Sequence, residues 1–175
     1  MASVFLSPSA QEFNPYLTGG NEEIYMNQLA DRIERILNQN GISTARNNPN
    51  GTFEDAIELS NRGDYDLHVA LHSNAASGEF SGLLMGPDIY YFPGSEDSFL
   101  ASEIISENLK DVYPEPQLVN AIPSNTLAEL RRTSAPATYI EIAYHDNPED
   151  EQWIKNNLDA IAENIASSII EYLET

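Results

Sequence analysis

At 175 residues and 41% hydrophobic content, the chain has the size of one compact domain able to bury a core. Its 28 acidic residues against 8 basic ones leave a net charge of -20, a field that repels phosphate backbones and argues against nucleic acid as a partner. The absence of cysteine excludes disulfides, thiolate metal sites and cysteine nucleophiles.

No run of about 18 uncharged apolar residues is present to span a bilayer. The start, Met1 to Leu6, has neither the basic region nor the long apolar stretch of a signal peptide. A single soluble domain, monomeric and without membrane insertion, is therefore expected. The acidic surplus reads first as a solvated surface, and more sharply as adaptation to a salty medium in which counterions screen self-repulsion.

In chain order, Val4-Phe5-Leu6 is a short apolar run that Ser7-Pro8-Ser9 ends, a first strand leading into a loop punctuated by Gly19-Gly20. Asn21 is placed to cap a helix with Glu22 and Glu23 in its first turn. Ile24, Leu29, Ile33, Ile36 and Leu37 share one face of that helix until Gly41. A short strand over 42–45 follows, then a second helix over 53–61 ended by Arg62-Gly63. Residues 65–71 form a nearly continuous apolar run, the pattern of a central strand. A strand is expected within 83–92 around Pro87 and an amphipathic helix over 99–109, whereas 112–124, with Pro114, Pro116 and Pro123, reads as loop. Residues 138–144 are β-branched and aromatic, as in a strand. Pro148 opens a last helix whose apolar positions, Trp153 through Leu173, recur every three or four residues. Alternating strands and helices predict an α/β fold, a mostly parallel central sheet flanked by helices on both faces in one domain.

In such sheets reactive groups collect beyond the carboxyl ends of the strands. Four segments qualify: Ser7 to Gln11 after the first strand, Glu22-Glu23 at the first helix start, His72-Ser73-Asn74 ending the central strand, and Glu141 in the strand Tyr139 to Ala143. A carboxylate at a helix start is commonly a surface group favoured by the helix dipole. Glu141 is harder to explain that way, because an unpaired carboxylate inside an apolar strand is costly. His68, four residues before His72, lies about 13 Å from it on one strand at about 3.3 Å per residue, so the two cannot share one metal; it reads as a hydrogen-bonded core or rim histidine.

Three of these segments resemble the zinc-dependent N-acetylmuramoyl-L-alanine amidases of the cell-wall hydrolase, autolysin and endolysin group, over nearly the whole chain. Glu22 to Ala30 matches that family's helix start, Leu71-His72-Ser73-Asn74-Ala75 its His-x-Asn-Ala motif, and Leu130-Arg131 with Pro136 to Glu141 its catalytic strand. The resemblance implies a cell-wall enzyme with peptidoglycan as its partner, cutting the amide between N-acetylmuramic acid and L-alanine. It implies Glu22 and His72 as zinc ligands, Glu141 as catalytic acid and base, and Arg131 as a holder of a substrate carboxylate or oxyanion. Asn74 and His145 are candidate substrate-binding groups, with a supporting position behind the ligands the alternative for His145. The family's first ligand, a histidine in an Asp-Pro-Gly-His-Gly-Gly loop, is absent here, where the loop reads Ser7-Pro8-Ser9-Ala10-Gln11. A branch of similar amidases also opens with Leu-Ser-Pro-Ser and a nearby glutamine, which puts Gln11 in the third metal position; a loop glutamine bonding only to backbone is the alternative. Two rival functions share the pattern: a metal-free peptidoglycan-binding or regulatory module, and a zinc peptidase acting within the stem peptide.

Overall fold

The computed structural model describes residues 2–175. Six strands, β1 (Ser3–Pro8), β2 (Ser43–Arg46), β3 (Leu67–Asn74), β4 (Asp88–Tyr91), β5 (Asn120–Pro123) and β6 (Ala137–Tyr144), form one sheet in the order β2-β1-β3-β6-β4-β5. All neighbours are parallel except β4 and β6, so the sheet is mostly parallel with one antiparallel join. Five helices accompany it: α1 (Glu22–Gln39), α2 (Phe53–Asn61), α3 (Glu96–Leu109), α4 (Ala128–Arg132) and α5 (Pro148–Leu173). Among the described residues no helix is long and apolar enough to cross a membrane.

Capping chemistry fixes the helix starts. The Asn21 side chain accepts the amide of Ile24, Thr52 and Asp55 form a reciprocal capping box at α2, and Asn147 accepts the amides of Glu149 and Asp150 with Pro148 at the first helical position. Two elements depart from the sequence reading. The segment expected to be loop over 112–124 contains β5, an edge strand whose prolines obscure its pattern, and α4 is a five-residue helix with no side-chain cap to announce it.

The sheet's two faces differ in kind. Alternation sends Val4 and Leu6 of β1, Leu67, Val69 and Leu71 of β3, and Ile140 and Ile142 of β6 into the main core with Met26, Leu29 and Ile33 of α1, Ile105 of α3 and Ile161 and Ile165 of α5. The opposite face carries Ser7, His68, His72, Tyr139 and Glu141. Over it lie only the short α2 and α4, around a smaller cluster of Ala70, Leu130, Ala137 and Tyr139. What looks in sequence like a continuous apolar run in β3 is thus two alternating rows, one aliphatic and one bearing both strand histidines.

Candidate active site

The loop over 9–21 connects β1 to α1 and brings its polar residues over the carboxyl end of β3. Gly20 lies at φ +80 with the Tyr25 ring so close that a Cβ would stand 2.6 Å from it, so a side chain is excluded there on two counts. From the other side α5 holds the loop: Glu151 accepts the amide of Thr18 at 2.7 Å, and the Lys155 ammonium donates to Thr18 Oγ1, to the Gly19 carbonyl and to Glu151. The same ammonium sits 5.6 and 5.1 Å from the stacked rings of Tyr16 and Tyr25.

Held in this way, the loop places Gln11 beside the start of α1 and the end of β3. His72 Nδ1 is 2.8 Å from Glu22 Oε1 and 3.4 Å from Gln11 Nε2. Asn14 Nδ2 donates to both Gln11 Oε1 (3.0 Å) and Glu22 Oε2 (2.7 Å), tying the two side chains together. Gln11, Glu22 and His72 therefore converge on one point. Glu141 is the register partner of His72 across β3 and β6, so both project from the same face. Its Oε2 is buried without a hydrogen-bond partner. Burial, with the negative charges of Glu22 and Asp88, lifts the Glu141 carboxyl to about 8 against the pull of His72.

Behind His72 lies a second carboxylate. Glu129 of α4 faces His72 Nε2 at 3.7 Å, accepts from Ser7 Oγ at 2.5 Å, and meets His68 Nε2 at 3.1 Å. His68 Nδ1 continues the chain to Ser60 of α2 at 2.9 Å. Burial opposes ionisation of Glu129, but the hydrogen bond from His68 and the nearby His72 imidazole outweigh it and bring the carboxyl down to about 2. At His72 burial opposes the proton, yet the nearby Glu129 carboxylate, the hydrogen bond to Glu22 and the charge of Glu141 raise the imidazole to about 10. At Glu22 burial raises the carboxyl, and bonds from His72, Asn14 and Ser9 more than reverse it. The cluster thus favours positive charge at His72 Nδ1, where a metal cation would compete with the proton. Among the described residues no group of three or more His, Cys, Asp and Glu is arranged for a metal ion. A third donor would come from Gln11, whose Oε1 keeps a lone pair beyond the one Asn14 occupies. Gln11 turns its Nε2 toward His72 and its Oε1 toward Asn14; with that amide turned over, one imidazole nitrogen, one carboxylate and one amide oxygen would offer the donor set of a catalytic zinc, with the Glu141 carboxyl on the same face.

Other candidates lie elsewhere. Arg131 is exposed on α4, whose Glu129 and Leu130 turn inward. His145 is buried with Nδ1 2.9 Å from Ser73 Oγ and its ring stacked on Tyr16, a buttress for the loop. Asn74 caps its own strand end, Oδ1 accepting the Ala75 amide. Sequence reasoning passed over Glu129, Asn14 and Tyr139, whose ring stacks on that of His72 at 4.3 Å. The signal for Glu129 was available in part: two histidines four apart on a strand share one face, and a buried pair requires an acceptor.

Beside this cluster opens a groove of about 470 Å³, with His72 and Glu129 at its inner end and Gln11, Phe13, Phe53 and Glu54 further out. The model of a family described as N-acetylmuramoyl-L-alanine amidase matches residues 13–171. Among curated proteins the chain is similar to the probable cell wall amidase LytH of Staphylococcus saprophyticus, 22% identical over 78% of this chain and 44% of that protein. The LytH of Staphylococcus epidermidis is 23% identical over the same shares. The chain thus spans less than half the length of these curated relatives. Among solved structures it is similar to the N-acetylmuramoyl-L-alanine amidase AmiC2 of Nostoc punctiforme (TM-score 0.86, 19% identity, 99% of this chain and 98% of that one). It is also similar to the CwlD amidase of Clostridioides difficile, solved in complex with the GerS lipoprotein (TM-score 0.88, 16% identity, 99% of each chain). At these identities the structural matches establish a shared α/β fold.

Proposed function

Because this chain belongs to the N-acetylmuramoyl-L-alanine amidase family, we propose that its site hydrolyses the amide between the lactyl group of N-acetylmuramic acid and L-alanine in peptidoglycan, with one zinc ion held by Gln11, Glu22 and His72. The observation that carries the reading is Glu141: a buried carboxylate with an unpartnered oxygen, paired in register with His72 and lifted into the range where a group both takes and returns a proton.

Held by Gln11, Glu22 and His72, a zinc ion would supply Lewis acidity to the reaction. The protein's own groups do the rest. Glu141 Oε2 accepts a proton from the water as its oxygen bonds to the carbonyl carbon. The same carboxyl then donates that proton to the nitrogen as the carbon–nitrogen bond breaks, leaving a lactyl carboxylic acid and the free amine of L-alanine. Asn14 keeps Gln11 and Glu22 in their relative positions. Glu129 directs the far edge of the His72 ring, the orienting role that carboxylates play behind metal-bound histidines. Tyr139, stacked on the imidazole, restricts its rotation.

Mass spectrometry of digested peptidoglycan tests the assignment. Intact stem peptides with L-alanine amino termini are expected; fragments cut inside the stem would instead make the protein a peptidase. The metal-free binding module rests on the missing loop histidine, and predicts peptidoglycan binding with no hydrolysis even in added zinc.

A further inference from the structure

The groove beside the reactive cluster has a chemical bias. Its lining includes no lysine or arginine, and its one basic side chain, His72 at the inner end, is already paired with Glu22, so the outer groove offers a carboxylate no cation. Phe13 and Phe53, 71% and 50% exposed, give it apolar walls that no other side chain of the described residues covers fully. Asn47, also in the lining, spends its amide hydrogen on the Pro8 carbonyl at 2.9 Å and leaves Oδ1 buried without a partner, an acceptor in want of a donor. Glu54 stands exposed at the same wall and adds the carboxylate side chain of the outer groove. The groove also runs against the start of α2, where amides can bind anions. There, however, Thr52 Oγ1 already accepts the Asp55 amide, and Glu54 and Asp55 fill the first turn with negative charge.

Apolar walls ending in a carboxylate match an aliphatic chain that ends in an ammonium. We infer that this groove is a subsite for the diamino acid of the stem peptide, with its methylenes against Phe13 and Phe53 and its free side-chain amine paired with Glu54. Stem peptides whose neighbouring carboxylates are amidated fit better than those that keep them. The inference rests on the amidase reading above, because it supposes that a stem peptide leads away from the cluster.

The test compares muramoyl-L-alanyl-D-isoglutaminyl-L-lysine with the same compound acetylated on the lysine side-chain nitrogen. Dissociation constants are measured by calorimetry and L-alanine amine release is followed in parallel. An ion pair at a solvent-facing rim supports a preference of about three- to fivefold. The zinc-loaded wild-type protein is expected to bind the free amine more tightly by that factor. Glu54→Gln should bind the two compounds alike, and Phe13→Ala should weaken both equally. Equal affinities in the wild type, or a preference that survives unchanged in Glu54→Gln, would overturn the subsite. Selective binding without amine release would instead defeat the amidase reading and leave the subsite standing; release without selectivity would do the reverse.

Discussion

Replacing Glu129 by alanine probes the hidden half of the site. The carboxylate accepts two hydrogen bonds, from Ser7 and His68, and lies 3.7 Å from His72, all in the interior. Two routes give its worth. Hydrogen bonds to a buried charge contribute about 1.5–3 kcal/mol each, and removing one partner of a buried ionic group costs about 3–5 kcal/mol. Independently, a carboxyl brought from the usual 4.5 to about 2, at about 1.4 kcal/mol per pH unit, corresponds to about 3 kcal/mol. Glu129→Ala should therefore lose about 3–5 kcal/mol in urea unfolding at pH 7 on metal-stripped protein, a melting temperature about 10 °C lower for a chain of this length. Glu129→Gln, which still accepts from Ser7, should lose about 1–2 kcal/mol. The sign with pH follows from the lowered folded-state value. The contribution is complete above about pH 4.5 and disappears as pH falls through about 2. A cost below about 1 kcal/mol for Glu129→Ala, or a difference from wild type as large at pH 2.5 as at pH 7, would refute the network.

Glu141→Gln should keep the fold and zinc but lower amine release by at least about a hundredfold, read by stopped assays on purified peptidoglycan. Because the folded Glu141 carboxyl titrates near 8, above its unfolded value, ionising it costs stability increasingly between about pH 4.5 and 8. The metal-stripped Gln variant should accordingly gain on wild type by at least about 1 kcal/mol at pH 9 relative to pH 4.5, in chemical denaturation. In zinc titrations, His72→Ala and Glu22→Ala should lose binding and Gln11→Ala should weaken it by more than the 10- to 100-fold typical of residues behind the ligands, while Gln11→His tightens it; equal affinity in wild type and Gln11→Ala removes Gln11 from the ligand set. The -20 charge predicts a melting temperature that rises between low salt and about a molar of sodium chloride, and a flat or falling trend would count against salt adaptation.

Features written locally could be read from the chain. Asn21, Thr52 and the Asn147-Pro148 pair mark helix starts through contacts within three residues, and α2 runs over the 53–61 expected of it. Glu22 and His72 could be assigned a shared metal only through the resemblance, since 50 residues separate them and their 2.8 Å contact is a product of the fold. Glu129 was less visible still. Its partners Ser7 and His68 are 122 and 61 residues away, and the helix that carries it is five residues long. His145, four residues past Glu141 and polar, reads from sequence as a group that supports the site or meets substrate, and the fold encloses it between Ser73 and Tyr16.

The unequal faces of the sheet bear on how such a protein drifts in sequence. Aliphatic packing with α1, α3 and α5 lies on one side, and the polar cluster with its thin cover of α2 and α4 lies on the other. A library of single substitutions would then separate into two populations. Changes at Leu29, Val69 or Ile161 lower the amount of folded protein while each surviving molecule turns over normally. Changes at Gln11, Asn14 or Glu141 leave abundance near wild type and remove turnover. Glu129 and His68 fall between, lowering both, because they are buried enough to hold the chain together and near enough to His72 to aim it. The exposed positions of the loop over 9–21 can therefore change side chains at little cost to the fold, whereas Tyr16, which packs into the main core, cannot.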